Sequence, residues 1–211
     1  MPEPQFVNTI KKAIQANLLE IHTCLPGQIE QYDHTKQKAD VKPLIKKKYV
    51  DGSVVPMPVI SNVPVVWPAG GGGSITFPLK QGDGVLLVFS ERSLDTWLSK
   101  GGDAEPGSRH KFDLSDAIAI PGLHPFTHTS NSDNNTDFLL KYKTGKFRID
   151  QNGKIAFGSG SNELVDLLEQ VVDALIASTT ATALGPQPLS KTIDTTFAQI
   201  KAKIALIKGS L

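Results

Sequence analysis

The run of four glycines from Gly70 to Gly73 is the stretch of this sequence most suggestive of chemistry. Glycine-rich loops bind phosphate when a helix follows them, because the first turn of that helix presents unpaired backbone amides. Such a loop is a Gly-Lys-Ser/Thr sequence that opens a helix, or a G-x-G-x-x-G sequence between a strand and a helix. Here the glycines lead into Ser74–Pro78, whose sequence SITFP predicts a strand. We therefore interpret the run as a flexible or bulged connection before a barrel strand.

Residues that bind metals are scattered along the chain. They are one cysteine, Cys24, and five histidines, His22, His34, His110, His124 and His128. No two of the histidines have a third acidic or cysteine partner at the spacing of a zinc site. His124 and His128 flank a proline in a loop, so exposed loop histidines are expected there and a metal site is the alternative. The sequence predicts no metal and no cofactor.

Hydroxyl and carboxylate groups occur together in Ser90–Arg92 and in Asp113–Asp116. Neither segment lies in a G-x-S-x-G elbow or in another context that activates a nucleophile. We expect both to be surface turns, and we expect Asp95 to be a cap or first-turn acid of a short helix. The sequence therefore predicts no catalytic residue, and the protein is not expected to be an enzyme.

Composition describes a folded chain without a strong overall charge. The 211 residues are 39% hydrophobic and 20% charged, with a formal net charge of +1. Such a balance creates no field that would attract nucleic acid or anionic lipid. A single cysteine suits a reducing compartment, and no apolar run matches a secretory signal or a membrane span.

A basic stretch, KQKADVKPLIKKKY, carries the alternative of nucleic-acid binding. Single-strand binders combine a positive groove with exposed aromatic side chains that stack on bases. Tyr49, Tyr32 or Trp67 would stack here, but Trp67 and Trp97 stand in apolar contexts that predict core positions. A single-stranded nucleic-acid-binding barrel with an oligomerising tail therefore remains the second hypothesis.

The elements that must position these residues change character along the chain. Residues 1–19 contain a short amphipathic helix, predicted over residues 5–19 by apolar residues at helical spacing. Residues 20–125 have short apolar runs broken by turn sequences, with one helical island, SLDTWLSKG. Five or six strands with one short helix predict a small barrel, and the oligonucleotide/oligosaccharide-binding (OB) fold is the leading candidate.

A polar linker at residues 126–136 leads to a short β-rich segment at residues 137–160. Its apolar residues alternate with polar ones and are separated by Thr-Gly and Asn-Gly turns, which predicts three strands with one apolar face. They are Phe138, Leu140, Tyr142, Phe147, Ile149, Ile155 and Phe157. Three short strands lack a second layer of their own, so the pattern predicts that a partner chain supplies it.

Residues 161–211 return to a helical period and predict a hairpin of two heptad-like helices. The first has Leu164, Leu168, Val171 and Leu175 at heptad spacing, and the second continues it with Ile193, Phe197, Ile200, Ile204 and Ile207. Ser190 is the expected N-cap of the second helix and Gly209 its expected end. The first helix is acidic and the second basic, with Lys191, Lys201, Lys203 and Lys208 against Asp194. We expect antiparallel packing along the heptad faces, with STTATALGPQPL as the connection.

Three segments in fixed order carry a resemblance to a known family: VPVVWPAGGGG, FPLKQGDGVLLVFSERSLDTWLSKG and RHKFDLSDAIAIPGL. The combination resembles the N-terminal domain of the membrane-piercing central spike proteins of contractile-tailed phages, the family related to baseplate assembly protein V. The matching residues are Gly82, Asp83, Trp97, Arg109, His110, Ser115, Asp116, Ala117 and Gly122.

The resemblance implies a mainly β chain with helical ends: an N-terminal OB-fold barrel, a short trimeric β-helix-like shaft and a C-terminal helical hairpin. It implies a homotrimer in the tail baseplate of the virion, assembled in the bacterial host cytoplasm. The implied partners are tail hub and tube proteins, a separate spike-tip protein and, transiently, the host envelope, with no nucleic acid. Residues expected at the trimer interface are Phe147, Ile149, Ile155, Phe157, Leu164, Leu168, Ile200 and Ile204.

One feature of the family is missing from this chain. Family spikes often end in a needle in which His-x-His motifs from three chains bind iron, whereas the last histidine here is His128, before the shaft. A metal-capped needle, and envelope piercing by this chain alone, are therefore not expected. The first hypothesis is a non-enzymatic spike or hub-to-spike protein.

Overall fold

The computed structural model describes residues 5–49, 51–128, 135–188 and 191–209. It separates into two compact units, Met1–Thr129 and Ser130–Leu211. The molecule is mainly β, with a curled half-barrel sheet and a few helices. Ser190, the expected N-cap, lies outside the described residues, as do the side chains of Lys191 and Asp194.

The first unit contains two α-helices, nine strands and a 3₁₀ turn at Leu114–Asp116 in its described residues. The helices are α1 (Gln5–Leu18) and α2 (Asp95–Lys100). The strands are β1 (Cys24–Asp33), β2 (Lys38–Pro43), β3 (Lys47–Lys48), β4 (Val54–Val55), β5 (Ile60–Pro64), β6 (Ala69–Gly70), β7 (Gly73–Ser74), β8 (Gly84–Phe89) and β9 (Ala117–Pro121). The predicted N-terminal helix is confirmed, and none of its residues is buried.

Five strands form one antiparallel sheet in the order β5-β2-β1-β8-β9. Alternate residues point to one interior because side chains of a strand alternate between its faces. The largest fully buried side chains are Ile29, Val41, Val63, Val85 and Leu87. Burial of each stabilises the unit by about 1.5–3 kcal/mol, so this interior face is what holds the sheet curled.

The two edge strands of the sheet approach each other beyond the end of β5. Val65 forms a parallel bridge with Ala119, and the Val66 amide donates to the Ala119 carbonyl at 2.9 Å. Trp67, only 9% exposed, follows directly and packs in the same core, as predicted. The bridge brings β9 back to the far edge of the sheet.

The glycine run forms a tight hairpin. Gly70 pairs with Gly73 between β6 and β7, and the two central residues, Gly71 and Gly72, have φ angles of 58° and 85°. Positive φ at both central positions is the geometry of a two-residue type I′ turn, which glycine adopts without steric cost. No helix follows, so the phosphate-loop alternative fails, and the run is a turn rather than a flexible or bulged connection.

The strand predicted at Ser74–Pro78 is mostly absent. Only Ser74 belongs to a strand, and the Ile75 amide donates instead to the Pro68 carbonyl at 2.9 Å. Pro78 has no amide to donate, so the segment cannot extend the pairing at its far end. Phe77 nevertheless contacts the core, since its ring lies edge-on to Trp67 at 4.5 Å.

The Gly-Asp-Gly sequence after this segment is a structural turn. The Asp83 carboxylate accepts a hydrogen bond from the Lys80 amide at 2.7 Å, and its carbonyl accepts from the Ile29 amide at 2.9 Å. A Cβ on Gly84 would lie 2.0 Å from the Leu123 carbonyl oxygen, so only glycine fits there. The turn fixes the start of β8 against β1.

The second unit contains a four-stranded antiparallel sheet, two helices and a hairpin in its described residues. Its strands are β10 (Phe138–Tyr142), β11 (Gly145–Ile149), β12 (Ile155–Ser159), β13 (Asn162–Glu163), β14 (Thr179–Thr182) and β15 (Gly185–Pro188). Its helices are α3 (Leu164–Ile176) and α4 (Lys191–Ile207). The sheet order is β10-β11-β12-β13, so the predicted three strands gain a short fourth.

Candidate assembly surface

One face of the second unit's sheet carries apolar side chains on β10, β11 and β12. Leu140 pairs directly with Phe147, Phe147 with Phe157, and Ile149 with Ile155. Directly opposite residues of an antiparallel pair share a face, so the four predicted interface residues of the sheet lie together. The rings of Phe138 and Phe157 each contact that of Phe147 edge-on, with centroids 6.3 and 6.4 Å away.

This apolar face is uncovered in the single chain. Phe138, Tyr142 and Phe157 are each more than half exposed, and Leu140 and Ile155 are 45% and 37% exposed. Phe147 and Ile149, in the centre of the face, are partly buried. A contiguous exposed apolar patch marks an interaction site, because monomeric proteins rarely leave one open to water. We name these seven residues, Phe138, Leu140, Tyr142, Phe147, Ile149, Ile155 and Phe157, the sheet face.

The opposite side of the same sheet is covered. Ala156, on this side, is fully buried, and α3 contacts the neighbouring strands β12 and β13. Arg148 forms an ion pair with Asp137, whose side chain is almost fully buried. On one side of the sheet, therefore, Ala156 is buried and Arg148 is paired, whereas the sheet face on the other side is exposed to solvent. The exposed side is the one available for docking.

Glu163 joins α3 to the sheet. Its carboxylate accepts hydrogen bonds from the Phe157 amide at 2.9 Å and from the Asp166 amide at 2.7 Å. Burial alone raises the pKa of Glu163, but the amides of Phe157, Val165 and Asp166 together lower it more, so the pKa lies below its ordinary value. One buried carboxylate thus caps α3 and completes the edge of β12.

The helices α3 and α4 pack antiparallel, as expected, through the predicted complementary charges. Lys201 binds Asp173 at 2.7 Å near the end of α3, and Lys208 binds both Asp166 and Glu169 near its start. The hydrogen bonds that Lys208 donates to the carboxylates of Asp166 and Glu169 raise its pKa. The connection is more ordered than expected, since β14 and β15 form a hairpin within it.

The heptad face of α3 does not pack against α4, which corrects the expected arrangement. Leu164, Leu168, Val171 and Leu175 are 48%, 48%, 56% and 41% exposed. The acids that bind α4 lie on another side of the helix, and Val172, 8% exposed, lies on a buried side. On α4, Ile200 is 40% exposed and Ile204 is partly buried.

Gly209 has a different role from the one expected. The helix α4 ends at Ile207, and Gly209 is not among the glycines with positive φ. Its amide donates to the Ile155 carbonyl at 2.8 Å, and a Cβ would lie 3.1 Å from the Ile155 carbonyl carbon. The glycine therefore permits close approach to the edge of β12 rather than a left-handed helix end.

The residues considered for catalysis are mostly structural. Asp113 caps the 3₁₀ turn by accepting from the Ser115 amide and hydroxyl, at 2.9 and 2.7 Å. Asp116 is not a surface residue as predicted: it is 3% exposed, and its Oδ1 accepts from the Leu94 amide at 2.8 Å. Asp95 lies in the first turn of α2, as expected, without a side-chain cap at that end. Sequence reasoning missed Asp116 because burial depends on the loop that folds over it.

Trp97 is also placed differently from the prediction. It is 53% exposed, and α2 has no buried residue. A Cβ on Gly107 would lie 3.2 Å from the Thr96 hydroxyl, so the Thr96 side of this short helix faces the following loop. Trp97, the next residue round the helix, consequently points to solvent.

The alternative binding sites receive less support from the geometry. The imidazoles of His124 and His128 stack at 4.6 Å, and the described residues contain no group of three metal-binding side chains. Tyr49 is 42% exposed, whereas Tyr32 and Trp67 contribute to the core and share a hydrogen bond of 3.4 Å. A pocket of about 220 Å³ is lined by His22, Lys47 and Tyr49 among others. The positive charge of Lys47 is partly neutralised there, because Lys47 forms an ion pair with Glu20 at 2.7 Å.

No helix within the described ranges combines the length and the apolar character needed to cross a membrane.

Residues 25–122, just under half of the chain, match the family model described as the phage protein Gp138 N-terminal domain. No curated protein matches the chain. Apart from Cys24, the matched segment covers the curled sheet of the first unit. It also includes all nine motif residues quoted for the spike resemblance, from Gly82 to Gly122. The match supports a phage protein family and suggests a structural role in the virion.

Proposed function

We propose that this protein is a non-enzymatic structural component of a contractile phage tail baseplate. It forms a homotrimeric central spike or hub-to-spike element at the tip of the tail tube and takes part in penetration of the host envelope. The sheet face is the observation that carries the proposal: a contiguous apolar patch across three strands, left uncovered, needs partner chains to bury it. The phage protein match of the first unit supports the tail setting.

The topology of the first unit supports the OB-fold part of the proposal. An OB fold is a partly open five-stranded Greek-key barrel. The strands β1, β2, β5, β8 and β9 form one curled sheet, and the parallel bridge between Val65 and Ala119 brings its two edges together. We assign the first unit to the OB class on this order and closure.

The mechanism that fits such a trimer is mechanical. Sheath contraction supplies the work, and the trimer transmits the force along its axis toward the host envelope. Three copies of the sheet face, wound together as a β-helix-like shaft, bury the apolar side chains in one dry axis. Hub and tube proteins would contact the first unit, and a separate spike-tip protein would follow the second.

Nucleic-acid binding is the weaker alternative. Two of its three candidate stacking residues, Tyr32 and Trp67, contribute to the core, and Lys47 is engaged by Glu20. A gel shift on single-stranded DNA at increasing salt tests it, because phosphate contacts give a steep loss of affinity with salt. Binding with such a slope would favour this alternative over the baseplate role.

Native mass spectrometry of the full chain tests the proposal, with a trimer as the expected mass. Changing Phe157→Asp places three carboxylates in one apolar layer, where an unpaired charge is strongly disfavoured, so this variant is expected to be monomeric. The matched control is Asn152→Asp, which adds the same charge at an exposed turn. A monomeric wild-type protein, or a Phe157→Asp variant as firmly trimeric as the control, would contradict the proposal.

A further inference from the structure

The helix α3 presents three different sides. One is buried, with Val172 8% exposed. A second carries Asp166, Glu169 and Asp173, which bind the lysines of α4. The third carries Leu164, Leu168, Val171 and Leu175, each between 41% and 56% exposed. We name these four residues the α3 stripe; nothing described in the unit covers it.

The spacing of the α3 stripe is that of a coiled coil. Its residues follow one another by four, three and four positions, which places Leu164 and Val171 at d and Leu168 and Leu175 at a of a heptad. The stripe keeps the 3.5 period of a helix-to-helix seam, and the flanking Leu167, 43% exposed, widens its apolar surface. The geometry of the stripe therefore matches another helix better than a sheet or a flat surface.

Charge on α3 favours an identical partner. The positions that flank the stripe, Val165, Leu167, Val172 and Ala174, are all uncharged. The acids of α3 lie on the side already neutralised by Lys201 and Lys208. A second copy of the stripe would thus meet no like charge, and the stripe has no cation that would attract an anionic lipid headgroup.

We propose that the α3 helices of three chains pack in parallel around a common axis through the α3 stripe, with α4 bracing each helix from outside. This inference rests on the proposed homotrimer, because two heptads are too short to associate on their own. The helix starts at the residue after β13, so a trimer built on the sheet face holds three α3 helices at high effective concentration. Two-stranded coiled coils favour a β-branched residue at a and leucine at d. Leu168 at a and Val171 at d show the reverse pattern.

Disulfide trapping in the full chain tests the seam. The background variant is Cys24→Ser, which removes the exposed native thiol. Leu168→Cys then places one thiol per chain on the stripe, and Gln170→Cys places one on an exposed position of the same helix away from it. Parallel packing brings the Leu168 positions within the ~5.5–6 Å Cα separation of a disulfide, so we expect covalent dimers at least about tenfold faster in Leu168→Cys.

Orientation is tested by mixing two variants in the same background. Antiparallel helices would instead link a Leu164→Cys chain to a Leu175→Cys chain, so preferential mixed links would overturn the parallel arrangement. A trimeric native mass with equal oxidation of Leu168→Cys and Gln170→Cys would overturn the seam and leave the proposed function standing. A monomeric mass would overturn both.

A membrane is the other occupant that the experiment separates. Flotation of the full chain with vesicles of phosphatidylethanolamine and phosphatidylglycerol is expected to leave the protein unbound. Binding that is lost in Leu168→Asp and kept in Gln170→Asp would show that the stripe docks on lipid, and would overturn the proposal.

Discussion

At the scale of single residues, two buried carboxylates hold this chain together in places where the sequence shows only ordinary acids. Asp116 closes the loop before α2, and Glu163 joins α3 to the sheet. Both act through backbone amides rather than through cations. Their contribution can be measured because shortening the side chain removes the acceptor and leaves the donating backbone amides unpaired.

Changing Asp116→Ala is expected to lower the free energy of unfolding of the protein by about 1–3 kcal/mol, since the Leu94 amide loses its acceptor. Asp116→Asn keeps an oxygen at that position and is expected to lose less. Urea denaturation of both variants checks the prediction, with Asp103→Ala as an exposed control. Equal stability of Asp116→Ala and the control would show that the buried bond contributes nothing.

Glu163 predicts a pH dependence of stability. Its pKa is lowered in the folded state, so its ionised form stabilises the fold above the unfolded pKa of about 4.3, and this contribution is lost as pH falls through the lower folded pKa. The gap in melting temperature between wild type and Glu163→Gln is therefore expected to be full at neutral pH and to shrink under acid. Glu105→Gln, an exposed control, should show no such gap. A difference in melting temperature that widened on acidification would contradict a lowered pKa of Glu163 in the folded state.

At the scale of elements, the glycine hairpin between β6 and β7 is defined by backbone angles rather than by packing. A Cβ on Gly70, Gly71 or Gly72 would meet nothing within 4 Å. Only Gly71 and Gly72 have positive φ, so side chains are disfavoured there by conformation alone.

Replacing Gly71→Ala is expected to destabilise the hairpin by about 1–2 kcal/mol, the cost of a left-handed conformation for an L-residue. Gly70→Ala, at a neighbouring site with ordinary φ and open space, should cost nothing or stabilise slightly. Amide hydrogen exchange of the hairpin measures both. Similar exchange in the two variants would argue against the type I′ turn.

At the scale of the whole molecule, the two compact units differ in what they leave exposed. The buried core residues of the first unit, from Ile29 to Ala119, form one cluster within that unit. The second unit keeps the sheet face and the α3 stripe open to solvent. Self-association is therefore expected to depend on the second unit.

A chain shortened to residues 1–128 is expected to fold but to self-associate weakly compared with the full protein. Circular dichroism checks that it folds, and light scattering at several concentrations gives its mass. The reason is that every core residue of the half-barrel is retained while the sheet face and the α3 stripe are removed. A shortened chain that is as firmly trimeric as the full protein would move the trimer contacts into the first unit.

Local patterns were enough to predict α1, the strands of the sheet face and the two terminal helices. The alternation of Phe147 and Ile149, and the four-three-four spacing that begins at Leu164, are repeats of the backbone itself, so they are visible in any short window. The charges of α3 and α4 also predicted their antiparallel pairing. That Phe147, Ile149, Ile155 and Phe157 face a trimer axis remains a prediction.

Only the tertiary structure decided which of these faces is covered. Asp116 is buried and Trp97 is exposed because of the loops that surround α2, and those contacts join residues far apart in the sequence. The α3 stripe is open because α4 lies along the acidic side of α3 rather than along its heptad leucines. A periodic pattern determines that a helix or strand has an apolar side, whereas the packing of distant segments determines what, if anything, lies against it.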